Sequence, residues 1–178
     1  MMKKDAVQVF VSRGEAFIPV YEPGAGDAVR ILLCDGGSED FPMSSDAFLK
    51  ALFDHYGLSV PASKRRYGYF LQGKRQLVPM PVSDGITLIP YHTREAIGKQ
   101  TRTGWVRAAA ITSLQQDREQ ETVIATSAHS FAAFHSKRFC FEQLKNARWL
   151  EHCYKEVHNI DAGDKTPWKF FTDVRGAV

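Results

Sequence analysis

A chain of 178 residues with 44% hydrophobic and 24% charged side chains has the composition of a protein that buries a core, which argues against extended disorder. No apolar run approaches the roughly 18 residues of a membrane span, and no apolar signal core follows Met1-Met2-Lys3-Lys4-Asp5, so a cytoplasmic protein without a membrane partner is expected. The net charge of +3 hides an asymmetry: residues 1–62 carry five Lys/Arg against nine Asp/Glu, residues 63–107 nine against two, and residues 108–178 nine against nine.

In chain order, Ala6–Val11 and Ala16–Tyr21 are short β-type runs around Ser12-Arg13-Gly14-Glu15, a spacing that predicts an N-terminal hairpin. Pro19 cannot donate to a ladder, so the second run is expected at a sheet edge. Val29–Cys34 predicts a third strand, ended by Asp35-Gly36-Gly37. Ser44 or Ser45 then caps a helix to about Tyr56, with Phe48, Leu52 and Tyr56 recurring every four residues and Gly57 closing it.

The basic third begins at Ser63-Lys64-Arg65-Arg66-Tyr67-Gly68-Tyr69-Phe70. Leu77–Val82 and Ile86–Pro90 flank Ser83-Asp84-Gly85, a hairpin signal, and Tyr91–Thr103 reads as an exposed basic loop. Gly104–Ile111 and Glu121–Ser127 predict two more strands around the Gln115–Gln120 turn. From Ser130 to about His158 apolar residues recur at threes and fours, which predicts a long helix. Trp168, Phe170 and Phe171 in the tail form a cluster of the kind that docks on a protein body. The fold class is therefore α+β: mostly antiparallel β-sheet with a short helix in the N-terminal half and a long C-terminal helix. One domain over residues 1–178 is expected, with 161–178 as an appended segment.

The nine cations of the middle third are Lys64, Arg65, Arg66, Lys74, Arg75, Arg94, Lys99, Arg102 and Arg107. They fall mostly in expected turns and loops, interleaved with Tyr67, Gly68, Tyr69, Gly73, Gly98 and Gly104. Loops let long cations reach phosphates, and glycines let backbone N–H groups approach phosphate oxygens. Six of the nine are arginines and only two local acids oppose them, the asymmetry of a polyanion-binding surface. A solvated charged face would carry the same residues.

Other chemistries find little support. His129, His135, Cys140, His152, Cys153 and His158 lack the three- or four-residue spacing of metal ligands on a helix. The odd cysteine count, Cys34, Cys140 and Cys153, suits buried reduced thiols. Cys34 before Gly36-Gly37 is the best nucleophile candidate, yet it also ends an apolar strand, where burial is expected. There is no Gly-rich phosphate loop, no G-x-S-x-G elbow and no carboxylate pair, so neither an enzyme, a metal nor a cofactor is expected. A module for RNA or single strands, with Tyr67, Tyr69 and Phe70 as stacking platforms, is the alternative nucleic-acid reading.

Taken in order, several segments resemble those of the bacterial competence transcription factor family (ComK-like proteins). They are the N-terminal hairpin, Arg66-Tyr67-Gly68-Tyr69 with Gly73-Lys74-Arg75, Ile86-Thr87-Leu88-Ile89-Pro90, a basic loop ending Gly104-Trp105-Val106, a strand–turn–strand, and Ser130-Phe131 opening a helix that contains Arg148-Trp149-Leu150. The resemblance covers roughly residues 5–155. It implies a DNA-binding transcriptional activator of competence or related late-growth genes, recognising A/T-rich double-stranded DNA from the minor groove as a homo-oligomer built from dimers. The Tyr91–Thr103 loop is longer than the family's, and the tail does not match its end, so adaptor-controlled proteolysis is not carried over. No segment reads as a helix-turn-helix. The helix over 45–56 is acidic, which leaves the loop arginines Arg94 and Arg102 as the expected groove readers.

Overall fold

The computed structural model describes residues 2–117 and 121–160. The order of elements is α1 (Met2–Arg13), β1 (Gly14–Glu22), β2 (Gly26–Leu33), β3 (Ser38–Phe41), α2 (Ser45–His55), α3 (Val60–Phe70), β4 (Met80–Ser83), β5 (Ile86–His92), β6 (Thr103–Arg107), β7 (Ile111–Gln116), β8 (Thr122–Thr126), β9 (Ser130–Ala133) and α4 (Lys137–Val157). The strands form a six-stranded sheet in the order β3-β2-β1-β6-β5-β4 and a three-stranded sheet in the order β7-β8-β9. Every pairing is antiparallel, and the fold is α+β with a long C-terminal helix.

Because side chains alternate along a strand, the larger sheet feeds two cores. Phe17, Ile31, Leu88 and Trp105 join one core with Phe10 of α1, Phe48, Leu52 and Phe53 of α2, and Tyr67 of α3. Their neighbours Ala16, Leu32, Ile89 and Val106 join the other, with Ile124 of β8 and Cys140 and Ala147 of α4. The first core centres on edge-to-face contacts of Phe10, Phe17 and Phe48, with ring centroids 4.7–5.8 Å apart.

Several expectations from sequence are corrected. Residues 6–11 are helical, because Ala6, Val7 and Phe10 share a helix face that is buried. The hairpin therefore lies one strand later, with β1 pairing to β2 from Gly14↔Leu33 to Glu22↔Gly26. β1 is interior rather than an edge; its pairing with β6 covers only Ala16 and Phe17, so the ladder ends before Pro19 needs a donor. The expected strand over Gly104–Ile111 breaks at a 3-10 turn, Ala108–Ala110, where the chain leaves one sheet for the other. Ser130–Ala133 is strand β9, and the long helix starts only after its N-cap Ser136. Two elements behind the family resemblance, the first hairpin and the helix at Ser130-Phe131, are thus built differently. The tail cluster of Trp168, Phe170 and Phe171 lies outside the described residues.

The largest correction is α3. Residues expected as a basic turn form a helix whose N-cap Ser59 accepts from the Ala62 amide at 3.4 Å, with a proline in its first turn. Val60, Ser63, Tyr67 and Phe70, three and four apart, turn inward. The preceding α2 ends in a Schellman motif: the Leu58 amide donates to Phe53 O at 2.9 Å and the Gly57 amide to Asp54 O at 3.1 Å, with Gly57 at φ +67°. Residues 56–59 are all that separate the two helices.

Candidate nucleic-acid interface

The inward stripe of α3 leaves a ridge of Pro61, Arg65 and Tyr69 pointing outward, with Arg66 on one flank and Lys64 and Gly68 on the other. After α3 the chain doubles back across Gly68. A Cβ there would sit 2.1 Å from the carbonyl oxygen of Lys74, so only glycine admits the return strand. Between helix and returning chain runs a groove of about 440 Å³, lined by Pro61, Lys64, Arg65, Gly68, Tyr69, Gly73, Lys74 and Arg75. Four cations and no carboxylate line it, and Tyr69 at its rim is 77% exposed.

The returning chain is held from behind by α4. Buried Gln143 donates from Nε2 to Leu77 O at 2.9 Å and to Pro90 O at 3.1 Å, while its Oε1 accepts from Lys74 Nζ. Lys74 also lies 5.3 Å from the centre of the Phe139 ring. Burial holds its pKa below the usual lysine range.

The nine expected cations separate into two groups. Arg107 is turned inward, donating from Nη2 to Phe10 O at 2.6 Å and Val11 O at 3.1 Å beneath the end of α1. Arg94 is fixed to Asp27 at 3.1 Å and to Thr101 O, and its side chain is 15% exposed. Neither is free to reach a partner, and Lys74 is half committed. Lys64, Arg65, Arg66, Arg75, Lys99 and Arg102 are exposed, and none of them forms an ion pair among the described residues. Four acids of the first third, by contrast, have cation partners within it: Arg13 pairs with Asp35 and Glu39, Arg30 with Asp40, and Lys50 with Asp54.

Lys99 and Arg102 sit in the β5–β6 loop, and Arg102 is close enough to lower the pKa of both His92 and His135. His135 stacks between His92 and Phe139, with ring centres 4.9 and 4.4 Å away, and its Nε2 accepts from the His92 amide at 2.9 Å. Burial pushes its pKa down to about 4, and the charges of His92, Arg102 and Lys74 push the same way. Arg102 of the loop and Lys74 of the groove thus both act on His135.

The remaining candidates do not converge on a reaction. Cys34 is exposed rather than buried, because β2 ends at Leu33. Burial raises the thiols of Cys140 and Cys153, to about 11 and about 12. Among the described residues no three His, Cys, Asp or Glu are grouped to hold a metal ion. Of the three aromatics named as stacking platforms, Tyr67 is buried, Phe70 half-buried and Tyr69 alone exposed. No helix among the described residues is long and apolar enough to cross a membrane.

The signals that could have located the interface were Ser59 followed by Pro61, and the inward spacing of Val60, Ser63, Tyr67 and Phe70. Against family models, curated proteins and solved structures alike, the chain finds no match.

Proposed function

We propose that this protein is a DNA-binding regulator of transcription without enzymatic activity or cofactor, taking double-stranded DNA on the face built by α3, the returning chain and the β5–β6 loop. The observation that carries this is the groove with four cations and no carboxylate, together with Arg66 on the other flank of α3 and Lys99 and Arg102 in the loop, all three exposed and in no ion pair among the described residues. Such a surface has to find its counter-charge outside the molecule, and a phosphate backbone supplies it at regular spacing. Competence or related late-growth genes are the targets that the family resemblance implies.

A/T-rich duplex is the proposed form of the partner. With Arg94 tied to Asp27, Lys99 and Arg102 are the loop cations able to enter a narrow A-tract minor groove. The test is competition by A/T-rich duplex, G/C-rich duplex and single strand against one labelled A/T-rich 30-mer. Preference for A/T-rich duplex is expected, reduced by Arg102→Ala. Stronger competition by the single strand would overturn the duplex reading.

A further inference from the structure

We infer that α2, the turn at Gly57 and α3 form a helix-turn-helix whose second helix enters the major groove, with Arg65 reading a base edge there. This rests on the duplex-binding function proposed above and names the element and the groove. A four-residue turn containing glycine is the connection that joins the two helices of a helix-turn-helix, whose second helix is the one presented for recognition. The first helix, α2, is the anchored one. Phe48, Leu52 and Phe53 are buried, and the Ser45 hydroxyl donates to Thr103 O of β6 at 3.0 Å. The exposed acids of α2 have partners already, Asp54 on Lys50 at 2.7 Å and Asp46 on the Thr101 hydroxyl at 3.3 Å.

The second helix buries only one stripe, and its outer face carries every charge it has, all of them positive. An 11-residue helix is about 16 Å long, and at 10–12 Å across it fits the major groove, roughly 12 Å wide. Arg65 and Tyr69, one turn apart on the outermost ridge, reach deepest. Lys64 and Arg75 lie along one flank, where the phosphates of one strand would pass, while the Lys74 ammonium is turned back to Gln143. The division of labour follows from position: flank cations fix register on the backbone, while a ridge arginine offers two parallel donors to guanine O6 and N7. A lysine is a point charge and cannot supply that fork.

The experiment uses the full chain and duplexes retained from a random 30-base-pair pool. Each retained duplex is remade with 7-deazapurines throughout, which deletes the N7 acceptors of the major groove and leaves the minor groove unaltered. Binding of both forms is measured for the wild type, Arg65→Ala and Arg65→Lys, with circular dichroism to verify that the variants fold. The wild type should lose about 10-fold or more in affinity on the deaza duplex, within the range of one bidentate contact. Both variants should bind the natural duplex more weakly and show less of that sensitivity. Equal binding of the two duplexes by the wild type, or undiminished sensitivity in the variants, would overturn the assignment while leaving duplex binding intact. A pool from which no duplex is retained would remove the duplex-binding function itself, and this inference with it.

Discussion

Arg107 lies with its guanidinium carbon 4.9 Å from the centre of the Phe10 ring and caps two carbonyls at the end of α1. Such a cation is desolvated, and burial lowers its pKa from the usual arginine value. Arg107→Ala leaves Phe10 O and Val11 O without their donor. It should destabilise the fold by about 2–3 kcal/mol in urea unfolding while leaving the salt dependence of DNA binding unchanged. His135 makes the complementary point about acid. Its folded pKa of about 4 lies below the value near 6.5 of an unfolded histidine, so on acidification the unfolded chain takes up the proton first. Stability contributed by the neutral ring is complete above about pH 6.5 and is lost as pH falls towards 4. The loss should be on the order of 1–2 kcal/mol, after discounting for solvent around a half-buried ring. His135→Phe keeps an aromatic ring against Phe139 but cannot accept from the His92 amide. It should lower stability at pH 8 and flatten the acid limb of a pH series of unfolding midpoints.

At the level of elements, the geometry of α3 and the chain that returns across it depends on Gly68. Gly68→Ala drives a methyl group into the Lys74 carbonyl, and either the helix or the turn must move. A loss of about 2 kcal/mol or more is expected, together with weaker DNA binding because Lys74 and Arg75 shift with the turn. An unchanged unfolding midpoint would show that the return strand yields at no cost. This element was also the hardest to recognise in the sequence. α2 was legible because its core contacts are large apolar residues at helical spacing, and the Asp84-Gly85 hairpin because its turn chemistry is local. α3 hides its inward stripe behind Ser63 and half-buried Val60, while three consecutive cations dominate the segment. α1 misled in the opposite way: Val7, Val9 and Val11 alternate like a strand, and only the burial of Ala6, Val7 and Phe10 in one core, with Phe10 against Phe17 and Phe48, makes the segment a helix. The cations themselves are plain in the composition of residues 63–107. Which of them are spent internally was not legible, because Asp27, Phe10 and Gln143, their partners, lie 67, 97 and 69 residues away.

Over the whole molecule, charge is sorted by place. Asp35, Glu39, Asp40 and Asp27 of the acidic first third pair with Arg13, Arg30 and the loop residue Arg94, whereas Lys64, Arg65 and Arg66 of α3, Arg75 behind it, and Lys99 and Arg102 of the β5–β6 loop form no ion pair among the described residues. Opposite ends of this charge pattern suit a protein that approaches a polyanion with one face. On α4, Phe141 is 53% exposed beside Ile111, Leu114 and Leu144, and Trp149 is half-exposed. Self-association as a homodimer is proposed from these positions, and a symmetric pair is the commonest solution for a repeated patch. Sedimentation should show a mass above the monomer at high micromolar concentration, reduced by Phe141→Asp; a strict monomer with and without DNA would contradict it.

Duplex binding through the α3 face is tested most directly by its salt dependence, measured by fluorescence anisotropy on one 30-base-pair A/T-rich duplex from 50 to 300 mM salt. If about five of the six exposed cations meet phosphates, log K should fall against log salt with a slope of about −4 to −5 per monomer. Charge reversal at Lys64 and Arg75 together should reduce the steepness by about 2 without moving the unfolding midpoint. A near-flat slope for the wild type, or a slope that the double variant leaves unchanged, would contradict the placement of DNA on this face.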